Sequence, residues 1–174
     1  DGKCSGTMYC GDHAHYAFLN EAFGLFSHVN ALQRDLCPSM SRFESEIVAM
    51  TLDMLHGGAV QQHDPSQRAC GVLGFGGTES ILLSLKTTRD YYRDVRPEIT
   101  RPEVLMPKTA HPAFHKACQY FDLTAVTVDV DDNFCAIPAL MEAAITPNTI
   151  LLVGSAPSYA HGAIDPIREL GEVA

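Results

Sequence analysis

The sequence predicts an α/β protein, a mostly parallel sheet flanked by helices and entered through a helical N-terminal segment. Three observations predict it. From residue 70 onward, short apolar runs with strand character alternate with helical stretches, the order that builds a parallel sheet covered on both faces. Before residue 58, apolar residues recur at helical spacing instead. The chain has 174 residues, 46% of them hydrophobic and 19% charged, which suits one ordinary globular core.

Residues 14–26 read as an amphipathic helix, with Leu19, Ala22, Phe23 and Phe26 at i, i+3, i+4 and i+7. An irregular stretch from Asn30 ends at Pro38. Ser41-x-x-Glu44 then has the form of a capping box, opening a helix whose apolar face is Phe43, Ile47, Met50, Met54 and Leu55. Gly57-Gly58 closes it, and residues 59–68 read as polar loop. Cys70 to Phe75 is a first strand, followed by Gly76-Gly77 and a helix over residues 78–95. Residues 103–106 are a second strand and residues 113–121 a second helix of this alternating part. Residues 124–130 are a third strand, 138–145 a third helix and 149–154 a fourth strand. The expected organisation is a helical segment over 1–58 and the first part of an α/β domain over 59–174.

The formal net charge is −9 with only 12 Lys plus Arg, which argues against nucleic acid or an anionic membrane as partner. A phosphorylated small molecule stays open, because one cradle of backbone N–H groups can hold it. Six cysteines, at positions 4, 10, 37, 70, 118 and 135, include no C-x-x-C pair. They read as reduced, small apolar residues of a cytoplasmic protein, and no metal is expected. No apolar run approaches the roughly 20 residues that span a bilayer. Asp1 in place of Met and a helix just begun at Ala174 give the expectation of a fragment.

Three loops can carry chemistry. In the first, a strand runs into Gly76-Gly77 and then Thr78-Glu79-Ser80 at the first turn of a long helix. Glycines admit a ligand to the backbone, and the helix N-terminus with the Thr78 and Ser80 hydroxyls suits a phosphate. A plain tight turn capped by Thr78 fits the same residues equally well. It is neither a Walker A loop, lacking Gly-Lys-Ser/Thr, nor the dinucleotide fingerprint, whose last glycine is Glu79 here. In the second, His111 follows a strand and starts a helix, at the sheet edge where open α/β sheets bind ligands. There it can stack on a flat heterocycle or meet a carboxylate, or be a connecting-loop histidine. The third, Ser155 to Pro166, follows the fourth strand and reaches the same edge. On its own it reads equally as a long surface loop.

Taken together the chain resembles the sphingosine-1-phosphate lyases, within the wider group of pyridoxal-phosphate (PLP) decarboxylases. The resemblance rests on Ser5-Gly6-x-x-Tyr9, Asn30-x-Leu32-x-x-Asp35-x-x-Pro38 and Glu44-x-Glu46-Ile47-Val48. It continues in Gly76-Gly77-Thr78-Glu79-Ser80-Ile81, Ala110-His111-x-Ala113-Phe114-x-Lys116-Ala117 and His161-Gly162-x-Ile164-Asp165-Pro166. It implies part of the large domain of a fold-type I, aspartate-aminotransferase-like PLP enzyme, active as a homodimer. It also implies roles. Gly76, Gly77 and Thr78 bind the cofactor phosphate, His111 stacks on the pyridine ring, and Ser155 lies beside the cofactor. Tyr9 reaches into the partner subunit's site, and Asn30 lies near the substrate phosphate. The implied reaction is retro-aldol cleavage of a phosphorylated sphingoid base to a fatty aldehyde and phosphoethanolamine.

Two departures bear on substrate. The family usually has His-Pro where this chain has Gln33-Arg34, so Arg34 offers a phosphate contact in place of the histidine. Gly74-Phe75 replaces the usual Thr-Ser, which leaves more of the phosphate to the backbone and Thr78. None of Lys3, Lys86, Lys108 and Lys116 matches the family's Schiff-base lysine, so these residues alone are expected to be inactive. An amino-acid decarboxylase and a non-catalytic phosphate-binding domain are the rival readings.

Overall fold

The computed structural model describes residues 12–30 and 32–174, in two compact units that divide between Phe75 and Gly76.

The first unit is helical. Asp12 caps α1 (His13–Phe26), its carboxylate accepting from the His15 N–H at 2.7 Å. Helix α2 (Pro38–Met54) starts with proline, whose fixed φ and missing N–H suit a first helical position. The expected capping box therefore does not form: Ser41 lies inside the helix and its hydroxyl is no cap. Glu44 instead pairs with Arg34 at 2.8 Å. The helix closes at His56, which takes the left-handed conformation (φ 57°) while the Gly57 N–H bonds back to the Leu52 carbonyl at 2.7 Å. A short helix α3 (Gly58–His63) occupies part of the expected polar loop.

Periodicity locates α2 but not the side it covers. The shielded stripe is Ser41, Glu44, Val48 and Leu52, whereas Phe43, Ile47, Met50 and Met54 are exposed. The reason is the segment Ala69–Gly71, which lines a hollow with Val48 and Leu52. This also accounts for the absent first strand. Cys70–Phe75 runs without a ladder partner among the described residues, and an apolar run without a neighbour stays extended coil.

The second unit holds the sheet. Helix α4 (Gly77–Val95) leads to β1 (Glu103–Pro107), then α5 (Pro112–Tyr120), β2 (Thr124–Val128), α6 (Pro138–Ala143), β3 (Thr149–Leu152) and α7 (Ile167–Val173). The strands are all parallel in the order β2-β1-β3. Central β1 is buried from Val104 to Pro107, as an unbroken apolar run in a doubly covered strand should be. Its pleat divides the core into two layers. Val104 and Met106 join Leu85, Ala117, Cys118 and Ile150 on the face covered by α4 and α5. Leu105 points the other way, to Ala136, Met141 and Leu170, where α6 and α7 lie. Among the described residues no helix is long and apolar enough to cross a membrane.

Candidate functional site

Parallel strands with helical crossovers bring every strand exit and every following helix start to one edge of the sheet. Three loops of the Gly76–Ala174 unit end there.

The first carries Gly76, Gly77 and Thr78. Gly76 has φ 146° and ψ 176°, a conformation open essentially to glycine alone, and it is the N-cap of α4 with no side chain closing the helix end. A Cβ at Gly76 or Gly77 would meet nothing within 4 Å, so the space before this helix end is open. Thr78 is the second helical residue, not the cap, and its exposed hydroxyl is uncommitted. Ser80 differs from expectation: its hydroxyl donates to the Gly76 carbonyl at 3.2 Å. Glycine backbone, helix N-terminus and one hydroxyl make a donor set that suits a dianionic phosphate.

The second loop follows β1. His111 caps α5, its Nδ1 accepting the Ala113 N–H at 3.1 Å. An Nδ1 that accepts carries no proton of its own, which leaves Nε2 as the N–H donor of the ring. The half-buried imidazole meets the ring of Tyr159 edge-on, 4.8 Å between centroids at 62°. A flat, neutral, oriented ring of this kind suits contact with a heterocycle.

The third loop, after β3, is exposed over most of its length, with Ser158 and Asp165 buried. Asp165 is 2% exposed, and its two carboxylate oxygens accept backbone N–H groups at 2.7 Å each, Oδ1 from Ala136 and Oδ2 from Ser155. The Asp165 N–H donates in turn to the Ser155 carbonyl at 2.9 Å. At the base of this loop Gly154 is tightly packed, since a Cβ there would lie 2.8 Å from Leu170 Cδ1. Beside it, Phe134 stacks on His161 with centroids 4.3 Å apart. The Cys135 thiol hydrogen-bonds the Ile164 carbonyl, and burial first, then the Asp131 and Asp165 carboxylates, push its pKa up.

Two buried hydroxyls on these loops, Thr109 Oγ1 and Ser158 Oγ, have no hydrogen-bond partner. Buried polar atoms are seldom left so, and they add two donors to the same two loops. The loops after β1 and β3 thus meet at His111 and Tyr159, and the loop before α4 opens at the same edge. With its glycine-backed helix end, an oriented neutral ring and spare hydroxyls, this edge fits a flat phosphorylated cofactor such as PLP.

The remaining site expectations fall elsewhere. Tyr9 lies outside the described residues. Asn30, Gln33 and Arg34 belong to the helical unit, where the Asn30 side chain accepts the Leu32 N–H at 3.0 Å and the Gln33 carbonyl accepts from Cys37 at 2.9 Å. Arg34 is committed to Glu44, which leaves it less free for a phosphate than its sequence position suggests. Of the described lysines, Lys86 pairs with Asp90, Lys108 with Asp129, and Lys116 lies over the Tyr120 ring. No group of three His, Cys, Asp or Glu side chains is arranged to hold a metal among the described residues. Sequence reasoning gave no role to Asp165 or Tyr159. The available signal was Asp165 itself, a carboxylate set between Ile164 and Pro166-Ile167 in an otherwise apolar stretch.

The description of the DegT/DnrJ/EryC1/StrS aminotransferase family matches residues 73–173. A sphingosine-1-phosphate lyase of Oryza sativa subsp. japonica is 44% identical over 99% of this chain, which spans 32% of that relative's length. The solved sphingosine-1-phosphate lyase of Burkholderia pseudomallei K96243 superposes with a TM-score of 0.85 at 55% identity, over 99% of this chain and 39% of that one. A glutamate decarboxylase of Lactobacillus brevis shares the fold alone, with a TM-score of 0.72 at 16% identity over 96% of this chain and 37% of its own. The phosphate-ready helix end, the oriented histidine and these likenesses agree, and the chain belongs to the DegT/DnrJ/EryC1/StrS aminotransferase family, among the PLP-dependent enzymes of fold type I, as a homologue of the sphingosine-1-phosphate lyases.

Proposed function

We propose that the protein carrying these residues is a PLP-dependent lyase that cleaves a phosphorylated sphingoid base between Cα and Cβ, releasing a long-chain aldehyde and phosphoethanolamine. The observation that carries this reading is the end-to-end similarity to sphingosine-1-phosphate lyases, on a chain whose Gly76–Thr78 helix end and His111 ring suit the cofactor.

In this reading PLP, when bound, supplies the electron sink for the pair released at Cα as the bond breaks and the β-hydroxyl loses its proton. The residues of this chain bind and orient. Backbone N–H groups at Gly76 and Gly77 and the Thr78 hydroxyl hold the phosphate, which fixes the cofactor at one end. His111, held by Ala113 N–H and Tyr159, would stack on the cofactor ring and keep Nε2–H available as a donor. Ser155 would lie beside the cofactor. Asn30, Gln33 and Arg34 serve the substrate's phosphate, with Arg34 exchanging Glu44 for it. Tyr9 acts in the partner subunit's site of a homodimer. The lysine that anchors the cofactor belongs to the remainder of a longer protein, as the chain spans about a third of the lyases it matches. A cytoplasmic setting suits the four unpaired cysteines among the described residues.

The test uses the full-length protein with PLP and sphingosine 1-phosphate, following aldehyde and phosphoethanolamine. Their stoichiometric appearance is the expected result. Carbon dioxide released from an amino acid, with no aldehyde, would make it a decarboxylase. Phosphate-ligand binding with neither product would leave a non-catalytic binding domain.

A further inference from the structure

A buried carboxylate is an expensive element, and this unit contains one. Asp165 is 2% exposed, its carboxylate accepts from main-chain N–H groups, and it takes part in no ion pair among the described residues. Each oxygen accepts one short bond, Oδ1 from Ala136 and Oδ2 from Ser155, both at 2.7 Å. Charge-assisted bonds of this kind are about twice as strong as neutral ones. The two donors sit on different segments. Ala136 closes the turn after β2 and Ser155 opens the loop after β3, so one carboxylate ties two strand exits together.

The consequences run along the loop. The Asp165 N–H returns a bond to the Ser155 carbonyl at 2.9 Å, which closes residues 155–165 at their base. Within that closed loop the Ser158 and Gly162 main chains bond each other and the Ser158 N–H bonds Ala163 at 2.7 Å. The loop therefore has a defined shape, and it presents the Tyr159 ring to the edge of His111 at 4.8 Å. The Nδ1 of the same imidazole is held by Ala113 N–H. The ring is thus constrained on one side by its own helix and on another by a loop whose base is Asp165.

We propose that Asp165 is a positioning residue for the cofactor site. It fixes Ser155 directly, and it fixes the plane of His111 through the loop that carries Tyr159. The inference rests on the reading of Ser155 and His111 as neighbours of the cofactor. Asparagine at 165 keeps the shape but turns one acceptor into an N–H donor facing another N–H, so one of the two ties is lost.

The experiment takes the full-length protein and measures, for each variant, the dissociation constant of PLP, the melting temperature, and amide exchange in peptides covering Ala136 and Ser155. Asp165→Asn is compared with Met141→Ala, which empties the adjacent core layer without touching the carboxylate. The expected result is that Asp165→Asn weakens PLP by about tenfold and speeds exchange at Ser155. Met141→Ala lowers the melting temperature at least as far and leaves PLP binding within about twofold of the unchanged protein. Equal weakening by both variants, or none by Asp165→Asn, would overturn the proposal and leave Asp165 a stabilising residue only. Should Asp165→Asn fail to fold, Tyr159→Leu decides, because that ring is exposed enough to be replaced. The proposal then requires PLP to weaken about threefold at an unchanged melting temperature, through loss of the ring contact, and unchanged binding overturns it. An unchanged protein that holds no PLP would instead sink the cofactor reading, a result distinct from all of these.

Discussion

The two units form helices equally well and bury side chains very differently. In the Gly76–Ala174 unit, β1 lies between two layers of apolar side chains, and Leu105, Met106, Met141 and Val104 are completely shielded. Among the described residues of the 12–75 unit no side chain is buried, and Phe23, Leu32 and Leu36 are 75%, 84% and 79% exposed. Local signals suffice for α1 and α2: an Asp12 cap in one, Pro38 at the first position of the other. A core needs a second layer to pack against, and the parallel sheet supplies it in only one unit. Large exposed apolar faces on helices are faces that proteins cover with further structure or a partner.

This contrast can be broken by mutation. In the 174-residue chain, Leu105→Ala should cost about 3 kcal/mol, the usual range for emptying a tightly packed aliphatic site. Met50→Ala, on an exposed face of α2, should cost within about 0.5 kcal/mol. Denaturant unfolding measures both, and equal losses would mean that the α2 face is covered after all. A finer test is chemical. Burial pushes the Cys118 thiol up to about 11, while Cys70 in the other unit is exposed. Since the thiolate is the reactive form, Cys70 should alkylate at pH 8 and Cys118 should not, until the protein unfolds. Mass spectrometry of the labelled peptides reads the difference, and rapid labelling of Cys118 would show that α5 opens. The smallest effect belongs to Arg34→Ala. Its pair with Glu44 is solvent-exposed, the Arg34 side chain at 61%, and such pairs contribute about 0.5 kcal/mol or less. A larger loss would show that Arg34 holds the 30–37 turn as well as Glu44.

The same contrast separates what could be read from sequence and what could not. Alternation of strand and helix locates β1, α5, β2, α6 and β3 within a few residues, because each is short, apolar and bounded by turn residues. The expected strand at Cys70–Phe75 has the composition of the others and no ladder, since pairing depends on a neighbour that local sequence does not specify. Likewise Ser41 and Glu44 have capping-box spacing, but Pro38 starts the helix three residues earlier. At the candidate site, the Gly76-Gly77-Thr78 helix end and the His111 helix start are legible because they are local features. The burial of Asp165 is not, because its carboxylate bonds reach Ala136 and Ser155, 29 and 10 residues away. Tyr159 was hidden in the same manner, as its value lies in meeting His111 across two loops.

In the proposed function the α4 helix end at Gly76–Thr78 binds the phosphate of PLP. The direct measurement is the dissociation constant of PLP for the full-length protein, unchanged, with Thr78→Val, and with Gly76→Ala. Thr78→Val removes one hydroxyl at constant shape. Gly76→Ala forces a side chain onto φ 146°, a conformation that costs on the order of 1–3 kcal/mol. PLP should bind about tenfold more weakly to each variant, and tightly to the unchanged protein. Affinity that neither substitution alters would contradict that assignment and move the phosphate away from this helix end.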